Sequence, residues 1–382
     1  MRRIAYLTGT RADFGLMAET LHAIDAHPHF DLILLVTGQH LAVEHGLTAR
    51  EVIDSGLRHT LLPAVPMTGH DGVEMASSVT EQMGHIVNAL HSLSPDIVLL
   101  LGDRGEMLAG AWASLLLGIP CAHFHGGERS GTVDDPMRQA VTALCQYHFP
   151  ATPGARHRLI QAGEIEESIF LLGAPGLDAL RNFTPDPGVL SRFGPAGERP
   201  LFSVLFHPVV QDADQAAVQA SILIDEIARI GGRAVVFAPN SDAGSAAIRH
   251  FYANAQSRYI RPDSEYPTHF HWVKHLSRGD YLSLVAQSDV LVGNSSSGII
   301  EAASLNTPTV NIGDRQLMRE RNTSVFDCEI APQAIRQALA SALAFRGPFE
   351  NIYDRGGCAS QIVDCLMKLT LRPVAIKKKF RY

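Results

Sequence analysis

Asp103, Glu106, His125, Glu128, Asp134 and Asp135 follow two successive apolar runs in the first half of the chain. These residue types suit general acid and base chemistry, in which two groups of different pKa move protons on opposite faces of a substrate. Arg104, Arg129 and Arg138 lie within a few positions of them, and a carboxylate buried without a partner is costly. Ion pairing and catalysis therefore both stand as readings of this cluster. His207 directly follows another apolar run and precedes Pro208, a position that would face a cleft, although a structural histidine fits there too. The remaining histidines lack metal-ligand spacing and HExxH is absent, so no metal site is expected. No GxSxG elbow occurs, which argues against a serine nucleophile.

Two loops of small residues could hold an anion. Gly9-Thr10-Arg11-Ala12-Asp13-Phe14-Gly15 joins a β-like run to a helical pattern. Its glycines and the helix start could present N–H groups, with Arg11 as a charged donor. The spacing is neither a dinucleotide fingerprint nor a P-loop, so a structural turn and a phosphate site both remain open. Gly293-Asn294-Ser295-Ser296-Ser297-Gly298 is the stronger signal, with small residues and hydroxyls between a buried run and a helical Ile299–Ser304. Glu301 is expected in the first helical turn, where a carboxylate either complements the helix dipole or accepts from ribose hydroxyls.

The elements that must position these residues alternate short apolar runs with amphipathic stretches, the pattern of βα units and parallel sheets. Runs at Ile4–Thr8, Leu32–Thr37, Asp96–Leu101, Pro120–Phe124, Leu201–Phe206, Arg233–Ala238, Asp289–Val292 and Thr309–Ile312 read as strands, and most end in a polar cluster. Ligands of open parallel sheets bind outside the carboxyl ends of the strands, so two facing sheets would form one polar cleft. Glycines and prolines crowd residues 173–200, which predicts a boundary there. The expected division is 1–175, 176–365 and a tail at 366–382. Amphipathic stretches at Ala334–Ala344 and Ile362–Leu369 read as closing helices, one of them crossing back onto the first domain.

Composition narrows the function classes. A chain of 382 residues is long enough for two cored domains. The net charge of −7 offers no basic face for nucleic acid, and the Lys377–Arg381 cluster reads as a solvated tail. Five cysteines without paired spacing fit a reducing cytosol. No run approaches about 18 apolar residues, and the first one is too short for a signal core, so a cytoplasmic protein without a membrane partner is expected.

The ordered set GTRADFG (9–15), GDR (102–104), HGGE (125–128), SGTVDD (130–135), PNSDAGS (239–245), GNSSSGIIEA (293–302) and NIGDRQ (311–316) resembles the hydrolysing UDP-N-acetylglucosamine 2-epimerases, including relatives that act on UDP-N,N'-diacetylbacillosamine. The resemblance runs from the first loop to about Asp327. It implies an α/β fold of GT-B type, with two Rossmann-like doubly wound domains around a central cleft. It implies a homodimer or homotetramer, no cofactor and no metal. It also implies elimination of UDP to a 2-acetamidoglucal followed by hydration, giving N-acetylmannosamine, or 2,4-diacetamido-2,4,6-trideoxymannose from the alternative substrate. Asp103 and Asp134 match the family's catalytic carboxylates. His125 or Glu128 takes a further proton-transfer role, and His207 and Arg104 line the sugar-diphosphate site. UDP would be held mainly by the second domain, with Arg11 reaching across from the first. Ser295 and Ser296 match diphosphate contacts, Glu301 a ribose contact and Arg315 a charged cleft residue, while Asn240 and Asp242 belong to the matching PNSDAGS loop. Two places depart from the family: Met137–Ala143 lacks a histidine and a lysine common there, and the turn at Asn351–Gly357 is altered. A glycosyltransferase or a UDP-sugar sensor are the competing readings of the same fold.

Overall fold

The structure, a computed structural model, describes residues 1–43, 46–66, 71–194, 199–259 and 268–371. The basic cluster at 377–381 lies outside them. The first half of the chain contributes strands β1 (Arg2–Thr8), β2 (Phe30–Val36), β3 (His59–Leu61), β4 (Ile97–Leu101), β5 (Cys121–Phe124) and β6 (Tyr147–Phe149). They form a parallel sheet in the order β3-β2-β1-β4-β5-β6. The second half contributes β7 (Leu201–Leu205), β8 (Gly232–Phe237), β9 (Thr268–Val273), β10 (Val290–Gly293), β11 (Thr309–Ile312) and β12 (Val325–Cys328). Their order, β12-β11-β10-β7-β8-β9, is again all parallel. Each sheet is a doubly wound nucleotide-binding topology, and its strand order reverses between the first and fourth strands of the half.

Burial on both faces explains why the central strands read so clearly. All five residues of β4, Ile-Val-Leu-Leu-Leu, are buried, as expected of a strand covered by helices on both sides. Side chains alternate between the two faces. Ile4 and Tyr6 of β1 join a core with Phe14, Met17 and Leu21 of the helix Arg11–Asp25. Ala5 and Leu7 face Ile86 and Leu90 of the helix Gly72–Leu93 and Met107 of the helix Gly105–Leu117. The strands absent from the sequence reading, β3, β6, β9 and β12, are the outer strands of the two sheets.

The helix Pro332–Ala344 stays with the second sheet through Ile335 and Leu339. The helix Cys358–Lys368 instead returns to the first half, where Cys358, Ile362, Leu366 and Leu369 complete the core beneath β1 and the helix Arg11–Asp25. Burying Ile362 and Leu366 fully stabilises this docking by about 1.5–3 kcal/mol each. Arg2 caps the same helix by donating to the Leu369 carbonyl at 2.9 Å. The glycine- and proline-rich stretch is packed: Ala174, Leu177 and Leu180 are buried, Ala174 N–H donates to the Tyr353 carbonyl at 2.9 Å, and Cys358 N–H to Asp178 at 3.0 Å. The chain therefore crosses between halves twice, side by side. Among the described residues, no helix is long and apolar enough to cross a membrane.

Candidate active site

The reversal points of the two sheets bring together the loops after β1 and β4 and those after β7 and β10. In the loop after β1, Thr10 caps the helix Arg11–Asp25 in a capping box with Asp13. The Asp13 carboxylate also accepts from Gly9 N–H at 3.0 Å and Thr10 N–H at 2.8 Å. The chain's own carboxylate thus takes the N–H groups of Gly9 and Thr10, which closes the turn ahead of the helix. Gly9 is required by close approach, since a Cβ there would overlap the Glu106 side chain. Arg11 reaches across to the second half, pairing with His275 and donating to the Leu276 carbonyl at 3.1 Å.

After β4, Asp103 pairs with the guanidinium of Arg138, a side chain only 1% exposed that also meets Asp135 at 2.7 Å and the Glu128 carbonyl at 3.1 Å. Arg104 pairs with buried Glu106 at 3.1 Å. Arg129, grouped with these cations in the sequence, instead rests on the Met318 sulfur at 3.4 Å. Burial acts to raise the Asp103 pKa, but Arg138, Arg319 and Arg315 overcome it and hold the carboxylate below its ordinary range. Asp134 lies nearby in the first turn of the helix Asp134–Leu144. Burial, and then the charge of Asp103, push its pKa up to about 6 against the opposing pull of Arg315. Two carboxylates of one cleft are thereby pushed in opposite directions.

His125, at the end of β5, is held at φ +62°, a left-handed conformation that costs a non-glycine residue about 1–3 kcal/mol. Its Nδ1 lies 2.6 Å from Glu128 Oε1, and the other face of that carboxylate meets Arg319 from the second half. Its Nε2 is buried and has no hydrogen-bond partner among the described residues. Burial, with Arg319 and Arg138, lowers the His125 pKa to about 3, so the ring is neutral near pH 7.

Across the cleft, His207 follows β7. Asn240 N–H donates to its Nδ1 at 3.1 Å, which places the ring proton on Nε2. Burial, then Arg315, lowers its pKa to about 3. Asn294 fixes the backbone of His207 by accepting from its N–H and donating to its carbonyl, both at 2.8 Å. Gly293 makes that approach possible: it has φ +137°, and a Cβ would sit 1.9 Å from the Leu205 carbonyl oxygen. Ser295 caps the helix Ser296–Ile300 through Ser297 N–H, and Ser296 stands beside it at the end of β10. Glu301 corrects the expected placement. The helix is only five residues long, so Glu301 is its C-cap rather than part of its first turn. The dipole would disfavour a carboxylate there, and Arg278 pairs with it instead.

Polar side chains bridge the cleft. Asp242 pairs with Arg104 at 3.4 Å and Arg315 at 3.8 Å, and Arg315 also faces Asp134 at 3.9 Å. Arg104 donates to Ser241 at 3.3 Å, where Gln39 also donates. Asn240 donates to Asp242 through its side chain. The structure thus gathers Asp103, Arg104, Asp134, Asn240, Asp242 and Arg315 into one polar network across the two halves, with His207, Ser295 and Ser296 at the nearby ends of β7 and β10. Arg11 and Glu301 stand at the neighbouring junction, where Arg278 packs against Gly15 of the helix Arg11–Asp25. The sequence pattern does not single out Arg278, Arg319, Gln39 or His275, although Gln39 and His275 closely follow the ends of β2 and β9.

A family model described as UDP-N-acetylglucosamine 2-epimerase matches residues 22–367. The chain is also 38% identical over 99% of both chains to UDP-N,N'-diacetylbacillosamine 2-epimerase (hydrolyzing) of Legionella pneumophila. The chain belongs to the UDP-N-acetylglucosamine 2-epimerase family. This 2-epimerase family member is likewise 32% identical to UDP-N-acetylglucosamine 2-epimerase of Neisseria meningitidis, over 92% of this chain and 89% of that one. Its fold matches the crystal structure of a UDP-GlcNAc 2-epimerase from Neisseria meningitidis bound to UDP-GlcNAc with a TM-score of 0.78, at 17% identity, covering 97% of this chain and all of the other. The two-sheet fold of the epimerase is therefore shared. Within Met137–Ala143, Arg138 is the residue that neutralises Asp103 and Asp135.

Proposed function

We propose that this chain is a hydrolysing 2-epimerase whose substrate is UDP-N,N'-diacetylbacillosamine and whose products are UDP and 2,4-diacetamido-2,4,6-trideoxymannose. The observation that carries the chemistry is the Asp103–Asp134 pair, one carboxyl lowered by Arg138 and the other raised to about 6. Below about pH 6 such a pair supplies an anion and a proton donor in one cleft, and near neutral pH a minor fraction of Asp134 still carries the proton. The C2 hydrogen of a sugar is not acidic, so its removal must accompany loss of the leaving group. His125, neutral and with Nε2 unpartnered, takes the C2 proton while the C1–O bond to UDP breaks, and the C2–H electron pair becomes the C1=C2 bond of the glucal. The Nε2–H of His207 and the guanidinium of Arg315 face the leaving diphosphate. Asp103 stabilises positive charge developing at C1 and orients the incoming water. Asp134 returns a proton to C2 from the opposite face, and Asp103 takes the proton released as the water oxygen bonds to C1. His125 and Asp103 give up their protons to solvent, and Asp134 regains one, as the products leave.

The extent of the Legionella relationship supports the diacetamido substrate. UDP-N-acetylglucosamine, giving N-acetylmannosamine, is the second reading, favoured by the Neisseria relative. Proton NMR in D2O with each sugar nucleotide in parallel tests both. The expected result is free manno sugar carrying deuterium at C2, with UDP, from the diacetamido substrate. Faster turnover of UDP-N-acetylglucosamine would transfer the assignment to the second reading, and transfer of the sugar to an acceptor without inversion at C2 would refute both. A homodimer or homotetramer is expected, and light scattering at the monomer mass would refute it.

A further inference from the structure

The segment that follows β11 is keyed into the first half of the molecule. Met318 N–H donates to the Ser130 carbonyl at 3.2 Å. Glu320 accepts from Arg158 at 3.3 Å and from the Thr152 hydroxyl. Both partner segments are shaped for it: a Cβ on Gly131 would lie 3.1 Å from the Asp314 carbonyl oxygen, and one on Gly154 would overlap the Glu320 carboxylate. Between these anchors the Arg319 side chain is delivered to Glu128, the same carboxylate that lies 2.6 Å from His125 Nδ1. Arg319 is itself held by Gln316, which accepts from its Nε at 2.5 Å.

We propose that Arg319 is a positioning residue: by docking on Glu128 from the opposite half, it fixes His125 as the Nδ1–H tautomer with its Nε2 lone pair free, so that the proton-transfer group is completed by a residue from the other side of the molecule. This inference rests on the reading of His125 as a proton-transfer group. The chemistry follows from the donor inventory. A carboxylate beside a guanidinium accepts hydrogen bonds and does not donate them, so the proton between His125 and Glu128 resides on Nδ1. The atom left for substrate is Nε2, which has no other partner among the described residues. Without Arg319, Glu128 would be free to stabilise a doubly protonated ring that cannot act as a base. The charged groups around His125 are Glu128 on its own loop, Arg319 from the second half, Arg138 and Asp103 from the first, and Glu301 from the second. Arg319 is the largest of the charges opposing protonation.

The test uses the full chain labelled with 15N-histidine. Long-range 1H–15N spectra report the tautomer and titration of the His125 ring, whose signal is assigned by its loss in His125→Gln. The wild type is expected to show Nδ1–H, neutral from pH 5 to 8; an Nε2–H ring would overturn the proposal without any variant at Arg319. Arg319→Gln is expected to raise the His125 titration and the acid limb of kcat/KM together by about one to three pH units, and Arg319→Lys by less. Asp103 also faces Arg319 and would contribute to the same limb, so the ring signal decides. An unchanged ring titration in Arg319→Gln overturns the role of Arg319, even if turnover falls. Full turnover in His125→Gln would instead remove the reading on which the proposal rests.

Discussion

Replacing Asp134 with asparagine is expected to stabilise the protein while disabling it. Burial and the charge of Asp103 lift the Asp134 pKa from 3.8 to about 6. At about 1.4 kcal/mol per pH unit, keeping this group ionised costs the fold about 3 kcal/mol at pH 8. Because the folded state binds the proton more tightly than the unfolded chain, the stabilisation is complete below about pH 4 and is lost as pH rises through 6. Asparagine does not ionise and escapes that loss. The N-terminus of the helix Asp134–Leu144 favours the carboxylate by about 0.5 kcal/mol, which leaves an expected gain of about 2–3 kcal/mol at pH 8 and none at pH 4. The chain has two tryptophans, one in each half: Trp112 and Trp272. In a Trp272→Phe background, Trp112 fluorescence during urea unfolding reports the half that contains Asp134. With asparagine, kcat at pH 7 should fall by at least about 100-fold, and what is formed should be the 2-acetamidoglucal, visible by the NMR signal of its vinylic proton. A urea midpoint unchanged at pH 8, or raised equally at both pH values, would refute the electrostatic reasoning. Normal C2-deuterated product would remove Asp134 from reprotonation.

Three further outcomes follow from the same geometry. Asp103→Asn should bind UDP within about threefold of wild type by calorimetry while kcat falls by about 100-fold or more; intact turnover would exclude the carboxylate from the reaction. Arg138→Met strands Asp103 and Asp135 and should destabilise the first half by about 3–5 kcal/mol, read from Trp112; a loss under about 1 kcal/mol would mean that the carboxylates find other partners. Gly293→Ala places a Cβ on the Leu205 carbonyl oxygen at positive φ and should weaken the second half by about 3 kcal/mol, read from Trp272 in the Trp112→Phe background; an unchanged midpoint would show that the β7–β10 junction can yield.

The parts legible in the sequence are those dictated by local physics. The run Ile97–Leu101 could be read because a central parallel strand is apolar at every position, and Gly102-Asp103-Arg104 could be placed because polar residues that end such a strand face a cleft. The outer strands were harder. His59–Leu61 has three residues and only one strand neighbour, and Val325–Cys328 interrupts its apolar residues with Asp327. The role of Asp13 is accessible in principle, since Thr10 and Asp13 have the spacing of a capping box. Glu301 was misplaced because the helix after Ser295 stops after five residues, and nothing in Gly-Ile-Ile-Glu announces the stop. Arg319 and Arg278 left no local trace. Their partners, Glu128 and Glu301, are distant in the chain, and which cation neutralises a buried carboxylate is decided when the two sheets meet.

The return of the helix Cys358–Lys368 to the first core also bears on the order in which the protein can be made. A first half leaving the ribosome carries Tyr6, Met17 and Leu21 ready to pack, but Ile362, Leu366 and Leu369, which cover them, are synthesised only after the entire second half. The N-terminal sheet therefore waits, one flank bare, while some two hundred residues emerge, and exposed apolar surface of this kind invites chaperones or aggregation. Domain-by-domain folding during synthesis is closed to this architecture: the half that is translated first is the half that is finished last.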